Sequence, residues 1–209
     1  MKIIAVCGSR REKGNTATII NKTLEPFIED GHETEIIYPG KMNISGCNGC
    51  EGCAKTGRCV VKDDMQEIYP KILEADAFIA GSPTYFYNMS SDMKKFIDRC
   101  YCLCSFDKEN RAVWISRLPQ TGPRFAGLIS ICEQNSADDM GFTPAAMQAA
   151  YESLGYRIVF NQKVLHAFEA GKVLQFKDQM DAAYSNGKKL LKTLELNRQR
   201  TLFPSGSLN

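Results

Sequence analysis

The sequence predicts an α/β fold: a doubly wound, five-stranded parallel sheet in the order 2-1-3-4-5, with helices on both faces. Short apolar runs rich in β-branched residues alternate with longer segments whose apolar residues recur every three or four positions. Helices of this length between strands give right-handed βαβ units. The run AGLISI at positions 126–131 is apolar without strict alternation, which is typical of a strand buried on both faces.

Each element has its own signal along the chain. Apolar runs predict strands at Lys2–Cys7, Glu33–Tyr38, Asp76–Ser82, Phe125–Cys132 and Arg157–His166. Helical spacing of apolar residues predicts helices at Thr16–Asp30, Asp64–Ala75, Ser91–Phe106, Thr143–Leu154 and Val173–Leu196. In sheets of this kind a ligand binds beyond the carboxyl ends of the strands. We therefore expect the functional residues in the loops after the first, third and fourth strands.

Length and composition limit the classes of protein. The 209 residues predict one domain over 1–197, with a cysteine-rich loop at 45–60 and a loose polar tail at 198–209. A net charge of +2 gives no footprint for nucleic acid, and no apolar run is long enough for a membrane span. The first apolar run is also too short for a secretory signal. Nine cysteines, an odd number, predict reduced thiols in the cytoplasm, some of them metal ligands.

The loop Gly8–Thr16, with the sequence GSRREKGNT, joins the first strand to the first helix. Backbone N–H groups at a helix N-terminus, hydroxyls and arginines suit a phosphate. The spacing matches neither a Walker A loop nor a GxGxxG fingerprint, which disfavours a nucleoside triphosphatase and a dinucleotide-binding domain. The alternative is a polar turn in which Asn15 or Thr16 caps the helix.

The loop Gly81–Asn88, with the sequence GSPTYFYN, follows the third strand and carries three aromatic residues. A flat aromatic ligand would gain stacking and amide hydrogen bonds there. The alternative is a structural loop that covers the sheet edge. A further segment, Asn110–Pro123, is too long for a tight connection and contains Trp114, so we expect a lid or an interface loop.

Four cysteines fall within thirteen residues: Cys47, Cys50, Cys53 and Cys59, spaced C-x2-C-x2-C-x5-C. A [4Fe–4S] cluster takes four thiolates, and the intervening glycines supply turns and space. The spacing differs from the two separated CxxC pairs of structural zinc. Zinc and plain thiols stay open as alternatives. On the predicted third helix, Cys100 and Cys104 share a face and Cys102 points away, so we expect core thiols there rather than ligands.

The pairing of GSRREKGNT with GSPTYFYN and MKKFIDR resembles the NAD(P)H-dependent FMN reductases of the flavodoxin-like superfamily, and the cysteine spacing resembles their iron–sulfur flavoprotein branch. The resemblance implies FMN and a [4Fe–4S] cluster as cofactors. It implies FMN contacts from three loops: Ser9, Arg11, Asn15 and Thr16 on the phosphate, Pro83, Thr84, Tyr85 and Phe86 on the ring, and Cys132 and Glu133 beside it. For Cys132, a buried thiol at a strand end is the alternative.

The resemblance implies an oxidoreductase that passes electrons between a reduced donor, the cluster, FMN and a small-molecule acceptor. Ferredoxin and NAD(P)H are the expected electron-transfer partners, and the relatives imply a homodimer or homotetramer. An FMN-only NAD(P)H reductase of quinones, nitro or azo compounds or flavin is the first alternative. A non-enzymatic electron carrier is the second, although the charge of +2 is unlike the acidic flavodoxins. No residue is assigned as acid or base.

Overall fold

A computed structural model of the chain describes residues 1–118 and 122–202. The strands are β1 Lys2–Cys7, β2 Glu33–Ile37, β3 Ala77–Tyr85, β4 Asn88–Met89, β5 Cys104–Phe106, β6 Trp114–Ser116, β7 Arg124–Ile131 and β8 Tyr156–Val164. The helices are α1 Asn15–Glu29, α2 Cys53–Thr56, α3 Met65–Glu74, α4 Ser91–Arg99, α5 Thr143–Ser153 and α6 Lys177–Leu202. The five predicted strands are confirmed, with ends that differ by at most three residues.

The central sheet has the order β2-β1-β3-β7-β8, and all of these neighbours pair in parallel. Ile3 of β1 lies opposite Thr34 on one side and Ala77 on the other. The predicted doubly wound fold and its order, 2-1-3-4-5 when only these five strands are counted, are therefore confirmed. The additional strand β4 pairs antiparallel with the end of β3.

Two apolar layers hold the sheet, because its central strands present apolar side chains to both faces. On one face, Phe78 and Val6 pack with residues of α3, α4 and α5. On the other face, Ile3 and Ile79 pack with residues of α1 and α6. The carboxyl ends of parallel strands lie at the same edge of a sheet. The packed core therefore keeps the loops after β1, β3 and β7 close together at that edge.

The predicted helix Ser91–Phe106 is wrong beyond Arg99. A 3₁₀ turn at Cys100–Leu103 follows α4, and β5 then pairs antiparallel with β6, with Phe106 opposite Trp114. The helical spacing of apolar residues misled here because a T-shaped contact between Phe106 and Trp114, with centroids 4.9 Å apart, stabilises a hairpin instead. Cys102 is consequently buried, not turned outward as the helix predicts.

The segment predicted as a lid or interface loop, 110–123, contains β6 and so belongs in part to this hairpin, while residues 119–121 lie outside the described ranges. Near the C-terminus, a 3₁₀ turn at Lys172–Gln175 precedes α6, which continues to Leu202. The expected tail from 198 thus begins inside a helix, and residues 203–209 are not described. Within the described part of the chain, no helix is both long and apolar enough to cross a membrane.

Candidate functional site

A cavity of about 420 Å³ opens at the carboxyl ends of β1, β3 and β7, a volume within the usual range for small-ligand sites. Nine of the ten residues expected to contact a cofactor line it, and Cys132 does not. The lining residues are Ser9, Arg11, Gly14, Asn15, Thr16, Pro83, Thr84, Tyr85, Phe86, Ile131, Glu133, Ala167 and Phe168. The structure therefore brings together the three predicted loops and a fourth, after β8, all of them far apart in the sequence.

The first loop presents the N-terminus of α1 to this cavity. Gly14 caps the helix without a side-chain hydrogen bond, and the first turn carries no acidic residue. The first backbone N–H groups of a helix have no partner within it, and they carry the positive end of its dipole. A side chain at Gly14 would come within 2.9 Å of the Arg11 carbonyl oxygen, so glycine is needed for this close turn. With exposed Arg11 beside it, the loop is suited to a phosphate.

Asn15 has a different role from the one its position predicts. Its Nδ2 donates to the carbonyl oxygens of Ala167 and Glu169 at 2.9 Å each, and its Oδ1 accepts from the N–H of Val173 at 3.2 Å. The side chain is therefore occupied in holding the segment after β8 against the first loop. Its backbone N–H at the start of α1 is the group that it can offer an anion.

The aromatic loop forms the second wall, and a tight turn shapes it. Phe86 and Tyr87 have positive φ angles of 46° and 61°, which leaves the Phe86 ring 99% exposed. Such strained backbone at non-glycine residues is found mostly at functional sites. Ser90 ties this loop to the first one, since its hydroxyl donates to the Gly8 carbonyl at 2.6 Å and its N–H donates to Ser82.

Thr84 provides a test of whether FMN fits the cavity. Its hydroxyl is buried and has no hydrogen-bond partner among the described residues, although it belongs to a residue on the cavity wall. Buried polar groups are nearly always paired. A ligand with hydrogen-bonding ring atoms beside Thr84, and a phosphate at α1, would satisfy both unpaired regions, and FMN has both parts. The residues present fit FMN.

The third wall of the cavity, formed by the end of β7 and the loop after it, agrees with the prediction for Glu133 but not for Cys132. Glu133 lines the cavity together with Ile131, but Cys132 is buried between them, and its backbone pairs with Val164 and Ala167. A residue at a strand end alternates sides with its neighbours, so the thiol of Cys132 is directed away from the cavity. Sequence reasoning missed Ala167 and Phe168, because no motif marks the loop after β8.

The four clustered cysteines line a second, smaller cavity of about 200 Å³, which also has Arg99 and Tyr101 in its wall. All four thiols are free. Within residues 1–118 and 122–202, no group of three or more His, Cys, Asp or Glu side chains is arranged to hold a metal ion. A cubane takes one thiolate at each of four separate irons. In donor type and in their common cavity the four thiols fit such a cluster.

A buried ion pair anchors the cysteine loop at both ends. Arg99 donates to the two carboxylate oxygens of Asp63 at 2.5 and 3.0 Å, and its Nη1 also donates to the Ser45 carbonyl at 2.9 Å. Ser45 is the first residue of the loop at 45–60, and Asp63 follows it. Burial raises the pKa of Asp63, but the hydrogen bonds from Arg99 and Ser45 outweigh it and lower that pKa to about 2.

The first cavity and the cysteine cavity are associated with opposite ends of α4. Ser90, before α4, contacts the first loop, whereas Arg99, at the end of α4, lines the cysteine cavity. A nine-residue helix is about 13 Å long. In the described part of the chain, the two cavities share no lining residue.

A parallel sheet of this order, with helices on both faces, defines the flavodoxin-like class. A solved structure titled "flavone reductase" is similar in fold, with a TM-score of 0.70 and 16% identity over 93% of this chain and 63% of that one. The chain belongs to the NADPH-dependent FMN reductase family, whose pattern matches residues 1–122.

Curated relatives confirm the resemblance to the iron–sulfur flavoproteins. An iron–sulfur flavoprotein of Methanocaldococcus jannaschii is 40% identical over 99 residues, which are 47% of this chain and 51% of the relative. Another, from Archaeoglobus fulgidus, is 37% identical over 47% of this chain and 45% of the relative. The chain thus spans about half the length of the curated relatives it matches.

Proposed function

We propose that this protein is an FMN-dependent oxidoreductase of the iron–sulfur flavoprotein type. It passes electrons between a reduced donor, a [4Fe–4S] cluster, FMN and a small-molecule acceptor. The observation that carries the proposal is the first cavity, whose wall combines a helix N-terminus without a side-chain cap and the Thr84 hydroxyl, which has no partner among the described residues. When bound, FMN supplies hydride acceptance and single-electron release, and the cluster supplies single-electron transfer.

The chain's own residues bind and orient FMN. The backbone N–H groups at the start of α1, the hydroxyls of Ser9 and Thr16 and the guanidinium of Arg11 bind the phosphate. Pro83, Thr84, Tyr85 and Phe86 line the ring, and the Thr84 hydroxyl donates to it. Glu133 and Phe168 line the remaining side.

The second cavity would hold the cluster through Cys47, Cys50, Cys53 and Cys59, with one thiolate for each iron. The cysteine loop is mostly exposed, and its ends are fixed by Arg99 and Asp63. This ion pair, and not a large apolar packing surface, holds the loop in position. Ferredoxin and NAD(P)H are the proposed partners for electron exchange. A homodimer or homotetramer is the proposed assembly, since exposed aromatic side chains surround the first cavity.

Anaerobic purification and reconstitution test the cluster. Cys53→Ser should lose iron and the broad charge-transfer absorbance of the cluster, while FMN stays bound. Cys132→Ser is the matched control, because this free thiol lines neither cavity, and it should keep both iron and FMN. Full iron in Cys53→Ser, or no iron and sulfide in the reconstituted parent protein, would contradict the cluster assignment.

The family match favours one further candidate, an FMN-only NAD(P)H-dependent reductase. A parent protein that contains FMN but no iron after reconstitution, and that oxidises NAD(P)H steadily with quinones or nitro compounds, would support this second function. FMN without any NAD(P)H turnover would instead indicate an electron carrier.

A further inference from the structure

Arg99 is the bulkiest of the fully buried side chains, with 1% of its surface exposed, and it carries a charge. A buried charge is costly unless it is paired and hydrogen-bonded. The pairing with Asp63 accounts for that part of the cost. The guanidinium has five N–H donors, however, and at this buried position at the end of α4 each of them needs an acceptor.

The hydrogen bonds of Arg99 use only the two terminal nitrogens. Nη1 and Nη2 bind Asp63, and Nη1 also binds Ser45. The remaining nitrogen, Nε, is buried and has no hydrogen-bond partner in the described part of the chain. An unsatisfied buried donor destabilises a fold, so one that a native structure keeps requires an explanation, such as a bound group that accepts its hydrogen bond.

The unpaired donor belongs to a side chain in the wall of the cysteine cavity. Arg99 lines that cavity together with all four clustered cysteines. The carboxylate of Asp63 accepts from the two terminal nitrogens, Nη1 and Nη2. Nε lies at the opposite end of the guanidinium from this carboxylate. A thiolate-ligated group is anionic and can accept such a hydrogen bond through sulfur.

We propose that Arg99 donates its Nε–H to a sulfur of the cluster held by Cys47, Cys50, Cys53 and Cys59, and thereby raises the reduction potential of that cluster. The inference rests on the proposed function. Reduction adds one negative charge to an already anionic group, so a charged donor stabilises the reduced form more than the oxidised form. Arg99 is thus a tuning and positioning residue, distinct from the four ligands.

An EPR-monitored redox titration of the anaerobic holoprotein tests the proposal, with Arg99→Lys as the variant. Lysine can still form an ion pair with Asp63. It lacks the planar guanidinium, however, and therefore has no Nε–H donor. We expect the ratio of reduced to oxidised cluster at a fixed potential to fall about tenfold, which is about 59 mV for one electron. Arg117→Lys is the matched control, because Arg117 donates to the Ala54 carbonyl of the same loop and is not in the cavity wall. It should keep the parent's potential.

A measurement on the parent sequence covers the case in which Arg99→Lys loses its cluster. Pulsed EPR of the reduced holoprotein, labelled with ¹⁵N-arginine, should show a ¹⁵N coupling that Arg117→Lys retains. Absence of this coupling, or an Arg99→Lys protein with full iron and the parent's potential, would overturn the role of Arg99 and leave the proposed function intact. A reconstituted parent protein without iron would instead overturn the cluster assignment, and this inference with it.

Discussion

Replacing Asp63 by asparagine should destabilise the fold through one identifiable interaction. The side chains of Arg99 and Asp63 are 0% and 6% exposed, and the carboxylate accepts from both terminal nitrogens. Removing one partner of a buried pair costs about 3–5 kcal/mol, because the other charge remains buried. Asparagine keeps one oxygen that can accept from Arg99, so we expect a loss of about 3 kcal/mol and a fall in Tm of roughly 10 °C for a chain of this size.

Urea unfolding followed by far-UV circular dichroism measures this loss in the free energy of unfolding. Asp64→Asn is the control, because the neighbouring carboxylate accepts only an exposed hydrogen bond, from the N–H of Asn43 at 2.7 Å. It should change the free energy of unfolding by less than about 1 kcal/mol. Equal, small losses in the two variants would refute the assignment of the buried pair as an anchor.

The same pair predicts a pH dependence. The pKa of Asp63 is lowered from 3.8 to about 2 in the folded protein. A lowered carboxyl pKa gives stability that is complete above the unfolded value and is lost as the pH falls through the folded value. At about 1.4 kcal/mol per pKa unit, the contribution is about 2 kcal/mol. In urea unfolding, this contribution should disappear between about pH 4 and pH 2 in the parent protein and be absent from Asp63→Asn, so the difference in the free energy of unfolding between the two proteins should shrink over that range.

Three further outcomes concern the first cavity and the assembly. Arg11→Ala should weaken FMN binding by about 1.5–3 kcal/mol in a fluorescence titration. Arg10→Ala should have little effect, because Arg10 is paired with Asp92 and is not in the cavity wall. Equal effects would contradict the placement of the phosphate. Thr84→Val should lower FMN affinity about fivefold. It should not lower the free energy of unfolding of the FMN-free protein, because the lost hydroxyl has no partner among the described residues. Unchanged affinity would argue against the ring contact. Light scattering should give the mass of a dimer or tetramer at micromolar concentration, and a monomer mass would exclude the proposed assembly.

The sheet and most of the first cavity could be predicted from the sequence because their signals are local. A strand such as β7 is a continuous apolar run, and the order of parallel strands then brings the first and third loops to one edge. The aromatic residues Tyr85 and Phe86 follow β3 directly in the chain, so their position depended on one element only. The resemblance added the identity of the ligand, which the residues alone left open.

Features that depend on distant pairings could not be predicted. The burial of Arg99 depends on Asp63, which is 36 residues away, and isolated arginine on a helical pattern reads as an exposed residue. Cys102 was misplaced because the apolar spacing after Arg99 continues although the backbone turns into a hairpin. The presence of Arg99 in the wall of the cysteine cavity likewise involves this distant pair.

The contacts of Asn15 have a consequence for the order in which this protein folds. Its side chain joins the first loop to backbone groups 152 to 158 residues further along the chain. Contacts of such high sequence separation form late, since the entropy of closing the intervening chain must be overcome first. A chain emerging from the ribosome can therefore form β1 and α1 early, but it cannot complete the cavity wall until the segment after β8 has been made. Capture of FMN during synthesis should thus not precede the arrival of residues near Val173, and FMN fluorescence would report on completion of the cavity wall.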